Sequence, residues 1–394
     1  MTTLKAIAIR LGRMGLSVLY AGLKLLPLQR KIVMISREPA AGPDDFLAVQ
    51  RSILRLDPAA RIVMYVRPVP SGILRKVGFA FTFLAQLFHI ATARVLVVER
   101  YSLLVSGLHH RNELTIIQLW HALGAFKKVG LSVLGQAEGH DPRVANAMRM
   151  HAGYDIALIS GEACRPAFAE AFGMPADELV VCPLPRVDRL RDPAIAQDTR
   201  ERILTAHPHL RGRRVALYAP TFRADGQVPV DAAELAGELE RIGVRLVVKL
   251  HPLMDRSFAA GTDTAPGFTT QEMLSIADLF ITDYSSALFE AAVVGLPSYF
   301  LAPDLDEYLA TRDFYLDYRH ELPGPIVRSI GELVDAVEAG SAMREDAAAF
   351  CSRWVQVPDN AAATAGATPC ADRIARIVLD GVSGAAHGGL VAAA

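Results

Sequence analysis

Asp278-Leu-Phe-Ile-Thr-Asp283-Tyr-Ser285-Ser286-Ala-Leu-Phe-Glu290-Ala-Ala-Val-Val-Gly295-Leu-Pro297 reads as a buried strand, a hydroxyl-rich turn and a helix in direct succession. Leu279 to Thr282 form a short apolar, β-prone run. Ser285 or Ser286 can cap the helix that follows, and Gly295 with Pro297 ends it. Free N–H groups at such a helix start, with the positive end of its dipole, favour a phosphate, and two serine hydroxyls add neutral donors. Asp and Ser are also ordinary turn residues, so the stretch gains weight only if the same layout recurs along the chain.

It does recur. Strand-like runs at 31–36, 61–66, 95–98, 114–119, 156–160 and 179–182 alternate with helical stretches such as 46–56 and 163–172. After Leu184-Pro-Arg-Val-Asp188 a polar, helix-prone connection runs over 189–214, and a second series then begins. Its strands are expected near 214–218, 245–250, 279–282 and 298–301, and its helices near 232–242, 271–276 and 286–294. Strand and helix in alternation mean βαβ units on parallel sheets. The expected architecture is therefore α/β, with two facing doubly wound domains and a cleft lined by the C-terminal ends of both sets of strands. The expected division is an N-terminal segment over 1–29, a first domain over 30–190, a second over 191–380 and a disordered Gly/Ala-rich tail over 381–394.

Composition agrees with two cores rather than one, since 394 residues exceed what a single core usually organises. Hydrophobic residues make up 52% and aromatics only 7%, which suits aliphatic side chains between helices and parallel sheets. A formal net charge of -1 argues against a nucleic-acid partner held by a broad basic surface. Cys164, Cys182, Cys351 and Cys370 are widely spaced, so neither a zinc knuckle nor a disulfide framework is indicated, and a reducing cytoplasm fits. At the N-terminus Lys5, Arg10 and Arg13 lead into an apolar run interrupted by Lys24 before Pro27. That run is too short and too charged to span, and reads as a basic amphipathic helix lying on an anionic membrane face.

Three further stretches place chemistry at strand ends. Trp120-His121-Ala122-Leu-Gly124-Ala-Phe-Lys127-Lys128 puts a histidine, able to act as a general base near neutral pH, before a glycine turn and paired lysines. Tyr218-Ala-Pro-Thr221-Phe-Arg223 delivers a hydroxyl and a guanidinium, the latter matched to phosphate geometry. In Val247-Val-Lys249-Leu-His251-Pro252, strand alternation sends Lys249 and His251 to one side and Pro252 stops the strand. With the serine turn, these make four strand-end sites for one polyanionic ligand.

The chain resembles the CDP-glycerol glycerophosphotransferases, the teichoic-acid primases and polymerases of the bacterial wall, from about residue 31 to about residue 377. Trp120-His121 with Lys127-Lys128 is similar to that family's Trp-His-Gly…Lys-Lys segment, and Pro185-Arg186-x-Asp188 to its Pro-Arg-x-Asp. Tyr218-Ala-Pro-Thr-Phe-Arg223, Leu250-His251-Pro252, Asp283-Tyr-Ser-Ser286, Asp304-Leu-Asp306-Glu-Tyr308 and Phe314-Tyr315-Leu-Asp317 follow in the family's order. The resemblance implies a glycosyltransferase-B fold of two Rossmann-like domains, the first for the acceptor and the second for a CDP-alditol. It implies transfer of glycerol phosphate, or a related alditol phosphate, from CDP-glycerol to a lipid-linked or glycan acceptor on the cytoplasmic face of the membrane, with release of CMP.

In that scheme His121 takes the acceptor's proton, and His251, Arg223, Thr221, Ser285 and Ser286 meet the diphosphate. Glu290 and Asp283 are assigned to the ribose, and Lys127, Lys128, Arg186 and Asp304 to the acceptor or to support. No metal and no cofactor are expected, because Asp304 and Asp306 belong to the family's own acidic segment. Ala122 stands where many members carry Gly, so the acceptor loop can differ in shape. Two other readings share these features: a glycosyltransferase-B sugar transferase or epimerase with another nucleotide donor, and a non-catalytic membrane-associated assembly protein.

Overall fold

The computed structural model describes residues 2–36, 44–66, 73–136, 139–223, 229–251, 254–358 and 369–384. They fall into two units, Met1–Arg186 with Pro358–Ala394, and Val187–Val357.

The first unit holds six parallel strands: β1 (Lys31–Ser36), β2 (Arg61–Val66), β3 (Val95–Val98), β4 (Thr115–Gln118), β5 (Ile156–Ile159) and β6 (Leu179–Val181), in the order β2-β1-β3-β4-β5-β6. Each of the central strands reads as a continuous apolar run because helices cover both faces. β1, β3 and β5 are buried at every position, whereas the edge strand β2 is only partly covered. Val33 sits opposite Val63 on one side and Leu96 on the other.

The second unit holds β7 (Arg214–Tyr218), β8 (Val244–Val248), β9 (Leu279–Thr282), β10 (Ser298–Leu301) and β11 (Ile326–Val327), all parallel, in the order β11-β10-β9-β7-β8. Leu235 and Leu239, one turn apart on the helix Ala232–Arg241, pack with Leu246 of β8 and with Leu333 and Val337 of the helix Ile330–Glu338. Gly295 ends the helix Ala287–Val293 at φ 69, a left-handed backbone that glycine adopts without penalty.

Connectivity fixes where ligands can sit. In the first sheet the chain steps from β1 outward to β2, then returns past β1 to β3. In the second it steps from β7 to β8, then crosses to the other side of β7 for β9. The order therefore reverses between β1 and β3 and between β7 and β9, and doubly wound sheets bind ligands at the carboxyl ends of strands flanking such a reversal.

Two expectations about organisation change. The helix Pro369–Ser383 belongs to the first unit, not to a second domain over 191–380. Its Cys370, Ile374, Ile377 and Val378 are buried, it packs on the helix Asp44–Leu56, and Asp372 pairs with Arg55. Gly381 lies where any Cβ would meet Val95 and Thr115. Apolar burial thus carries the chain's end back to the first sheet.

The N-terminal stretch is likewise no separate element. The helix Thr2–Leu23 packs on the helices Pro142–Met148 and Ile73–Ala91. It docks through Ala6, Arg13 and Tyr20, seven residues apart and hence on one face. Arg13 donates to the carbonyls of Gly107 and Ala147, and Tyr20 bonds His110. Of the expected tail, 385–394 lie outside the described residues.

Candidate functional site

In the second unit the segments leaving β7 and β9 are stitched together at the reversal. The Thr282 hydroxyl donates to the Ala219 carbonyl at 2.8 Å. Asp283 follows, 2% exposed, and its carboxylate is fully engaged by protein donors. Oδ1 accepts from the backbone N–H of Thr221 (2.8 Å) and Tyr284 (2.6 Å), and Oδ2 accepts from Arg223 Nη1 at 3.0 Å. A carboxylate already holding three donors and sealed from solvent organises the turn, a role the ribose expectation for Asp283 did not include.

Arg223 is the cation of this arrangement. Its Nη2 donates to both oxygens of Asp304, at 2.8 and 3.1 Å, while Nη1 holds Asp283. Burial alone pulls the guanidinium pKa down, but Asp283 and then Asp304 outweigh it, and the net shift is upward. The group lies 5.6 and 5.7 Å from the rings of Tyr284 and Tyr308, which stack at 3.6 Å. Its fork therefore grips carboxylates, not a diphosphate, and two acids against one guanidinium leave the cluster net negative. Two buried donors here, Arg223 Nε and Thr221 Oγ1, have no hydrogen-bond partner among the described residues. Orphaned donors of this kind mark a place where a ligand acceptor fits.

Ser286 occupies the N-cap of the helix Ala287–Val293 without a side-chain capping bond, while Ser285 Oγ accepts from the Ala287 N–H at 3.3 Å. Glu290, one turn on, is 7% exposed. Asp304 also accepts from the Tyr284 hydroxyl at 2.9 Å, whereas Asp306 turns to Arg319 and Arg328, at 2.5 and 3.0 Å. The two acids thus face different cations and do not converge on one point.

β8 ends at Val248, so Lys249 and His251 lie beyond the strand rather than on one of its faces. Lys249 Nζ donates to the carbonyls of Thr264 and Ala265, at 2.8 and 3.0 Å, as a structural clasp. His251 is exposed, with its ring 5.5 Å from Phe222, and partial desolvation lowers its pKa. Pro252 lies outside the described residues.

In the first unit the reversal is bridged by a bond from the Ser36 hydroxyl, at the end of β1, to the Glu99 carboxylate just past β3. Glu99 is 5% exposed, and its backbone carbonyl faces His121 Nδ1 at 3.4 Å. A carbonyl can only accept, so Nδ1 carries the hydrogen and Nε2 keeps the lone pair a base requires. Burial, then the Arg100 charge, push the imidazole pKa down to about 3, partly opposed by the Glu99 carbonyl.

Trp120, just before it, has φ 61, a left-handed conformation that costs a bulky residue energy. It is held there by Phe172, Phe168 and His151, with ring centroids at 5.2, 5.8 and 6.4 Å, and by a bond from its N–H to Gln118 Oε1 at 3.0 Å. Gly124, at φ 65, supplies the glycine turn two residues after Ala122.

Arg186 anchors the loop from behind. Its Nε and Nη2 donate to Asp45 Oδ2 at 2.8 and 2.6 Å, its backbone N–H donates to Asp45 Oδ1 at 2.7 Å, and Nη2 reaches the His121 carbonyl at 3.1 Å. Lys127 and Lys128 are half-buried just before the short helix Gly130–Val133. Sequence reading missed Glu99, Ser36 and Asp45. The first two acquire meaning only once the strand order brings β1 beside β3, and Asp45 looks like any acid in a first helical turn.

Two doubly wound parallel units make a fold of the glycosyltransferase-B type. The wall teichoic acid polymerase TagF shares the fold, with a TM-score of 0.70 over 96% of this chain and 98% of its own at 20% identity, and two matched TagF structures are soaks with CDPG. At residues 21–365 the sequence matches the profile of the CDP-glycerol:poly(glycerophosphate) glycerophosphotransferases, and the chain belongs to that family. The teichoic acid ribitol-phosphate primase of Bacillus spizizenii is 32% identical, over 80% of this chain and 84% of its own. The teichoic acid glycerol-phosphate primase of the same organism is 27% identical over 68% and 71%. Against the ribitol-phosphate polymerase TarL of Staphylococcus aureus, 34% identical, the chain spans only 46% of the relative's length.

Proposed function

We propose that this chain transfers an alditol phosphate from a CDP-alditol to a hydroxyl of a lipid-linked or glycan acceptor, releasing CMP, in the synthesis of a teichoic-acid-like polymer. The observation that carries the reading is the place of His121 at the first reversal, its Nδ1 3.4 Å from the Glu99 carbonyl, which favours the tautomer that leaves Nε2 as acceptor. A base is what the acceptor side of such a transfer needs, since the attacking oxygen must lose its proton as it bonds to phosphorus. Burial lowers the imidazole pKa, so the ring is neutral before the acceptor binds, and binding has to raise its basicity for the proton to move.

On the donor side, Thr221 Oγ1 and Arg223 Nε, with His251 and the Ser285-Ser286 turn, meet the diphosphate. Glu290 accepts from the ribose hydroxyls. Asp283 and Asp304 hold Arg223 in place and act in support. Carbon–oxygen bonds of the alditol are untouched: one phosphorus–oxygen bond forms to the acceptor, another breaks, and CMP carries away the electron pair. Incubating purified protein with CDP-glycerol, CDP-ribitol and UDP-sugars while following nucleotide release tests this. CMP from a CDP-alditol supports the reading, and turnover confined to UDP-sugars replaces it with a sugar transferase or epimerase.

The helix Thr2–Leu23 rests in the plane of an anionic membrane face. By length and a mean hydropathy of 1.3 it could cross one, but its Arg13 and Tyr20 are bound to the first unit. The opposite side supports the in-plane reading: Leu4, Ile7, Leu11, Met14 and Val18, spaced three and four apart, are 47 to 73% exposed. The helix Ile73–Ala91, which packs on the helix Thr2–Leu23, also exposes apolar side chains, Phe81 at 75% and Leu84 at 46%. Lys5 and Arg10 flank the stripe on Thr2–Leu23 as exposed cations.

A further inference from the structure

The second unit carries a group of metal-ligating side chains that the transfer chemistry does not use. His207, His209 and Asp263 each offer a ligand atom, and all three atoms lie within 4.8 Å of one another. We propose that His207, His209 and Asp263 form a binding site for a transition-metal dication of the zinc type, completed by water.

The framework is rigid. His207 ends the helix Pro193–Ala206, and Pro208 follows, which disfavours helical backbone at the residue before it; His207 has left the helix at φ -127 and ψ 68. Asp263 is pinned to β8 by a bridge to Val247 and by its carbonyl accepting from the Val248 N–H at 2.8 Å. The residues after it are tied down through their carbonyls by Lys249.

The surrounding bonds bear on the ligands. His207 Nε2 faces the Pro266 carbonyl at 3.2 Å; with the hydrogen on Nε2, Nδ1 keeps the lone pair a metal needs. A metal-bound imidazole whose other N–H donates to a carbonyl is the usual outer-shell arrangement. Asp263 Oδ1 accepts from the Ala265 N–H at 2.9 Å, which fixes the carboxylate and leaves Oδ2 for the ion. Oδ2 and His209 Nε2 are in direct contact. An ion entering there takes the place of the proton these two atoms share, and that proton moves to Nδ1 or to solvent.

Ligands of one zinc ion, at about 2.0–2.1 Å from it, lie roughly 3.3 Å apart, so modest rotation of His207 and His209 closes the set. Two imidazoles and one carboxylate select zinc and its neighbours over magnesium or calcium, which prefer all-oxygen shells. The bound ion would tie the segment preceding β7 to the segment beside β8. Its role is structural and stands apart from the transfer reaction.

The test uses the full-length protein, stripped with a chelator and dialysed. Zinc titrated by calorimetry is expected to bind at one equivalent and raise the Tm, and cobalt is expected to give the visible absorption of a low-coordinate nitrogen–oxygen site. His207→Gln and His209→Gln should each weaken zinc binding by at least ~10²-fold, more than the loss of an outer-shell partner, while circular dichroism and metal-free CMP release stay at the wild-type level. Asp263→Asn, which keeps an acceptor for the Ala265 N–H, serves as a third variant if a histidine change disturbs folding. Absence of a saturable one-equivalent site, zinc affinity unchanged in these variants, or magnesium competing on equal terms would each overturn the assignment.

Discussion

Replacing Asp283 by alanine separates the two roles this residue could play. As an organiser it holds Arg223 at 3.0 Å and the backbone N–H groups of Thr221 and Tyr284 at 2.8 and 2.6 Å, in a site 3% exposed on the Asp side chain and 11% on the Arg. Breaking a buried ion pair by removing one partner costs about 3–5 kcal/mol, and each orphaned buried N–H falls within the same order, about 1–3 kcal/mol. Because Asp304 still neutralises Arg223, the lower end of each range applies, and we expect a loss of about 5 kcal/mol with the two orphaned donors included. For a unit of this size that corresponds to a fall in Tm of roughly 10–20 °C. Differential scanning calorimetry with urea titration reads it. Asp283→Asn should lose less, because its amide oxygen still accepts from the Thr221 and Tyr284 N–H groups. A Tm within about 2 °C of wild type, together with a raised KM for the CDP-alditol, would refute the organising role and return Asp283 to the ribose.

Other expectations follow from the same geometry. His121→Ala should lower turnover by ~10² to 10⁴ in a folded protein, as loss of a general base does, whereas activity near wild type would remove His121 from the reaction. Asp45→Asn, which touches no ligand in this account, should lower turnover by loosening the Arg186 clamp on the His121 loop, with little change in KM for the donor; equal changes in both would point to direct contact. His110, His121 and His151 are held neutral with pKa values of about 4, 3 and 4, well below the 6.5 of the unfolded chain. Below 6.5 the unfolded state binds protons the folded state refuses, so stability must fall as pH drops, by about 2 kcal/mol per histidine between pH 8 and 5; a flat urea-unfolding profile over that window would contradict it. The combined change Leu4→Glu, Leu11→Glu and Val18→Glu should leave the fold intact and abolish co-sedimentation with anionic vesicles, since each side chain is exposed and burying one contributes about 1.5–3 kcal/mol; undiminished binding would place the membrane contact elsewhere.

Much of this was readable from residue order because parallel sheets advertise themselves. Runs such as Lys31–Ser36 and Leu279–Thr282 are buried on both faces, and turn residues bracket them. Less was readable where meaning depends on what folds back against what. The helix Pro369–Ser383 has the same amphipathic pattern whichever sheet it covers, and only its burial against β3 and β4 assigns it. Arg223 looked like a phosphate fork because its loop follows a strand, yet Asp304, 81 residues away, takes that fork. Glu99 gave no local signal at all. A buried acid beside β3 became a site residue only when β1 settled next to it and Ser36 reached across. The outward stripe on the helix Thr2–Leu23 was the reverse case, legible as amphipathic but with its basic residues misread as all facing lipid, since Arg13 bonds backbone carbonyls.

The central claim is that the chain moves an alditol phosphate rather than a sugar. The direct measurement is the mass of the acceptor after incubation with a CDP-alditol and a hydroxyl-bearing lipid-linked saccharide, with CMP counted in the same reaction. The account predicts an acceptor heavier by one or more alditol phosphates, one CMP for each unit added, and loss of both signals in His121→Ala. An unchanged acceptor with every CDP-alditol, alongside transfer of a sugar from a nucleotide sugar, would contradict it.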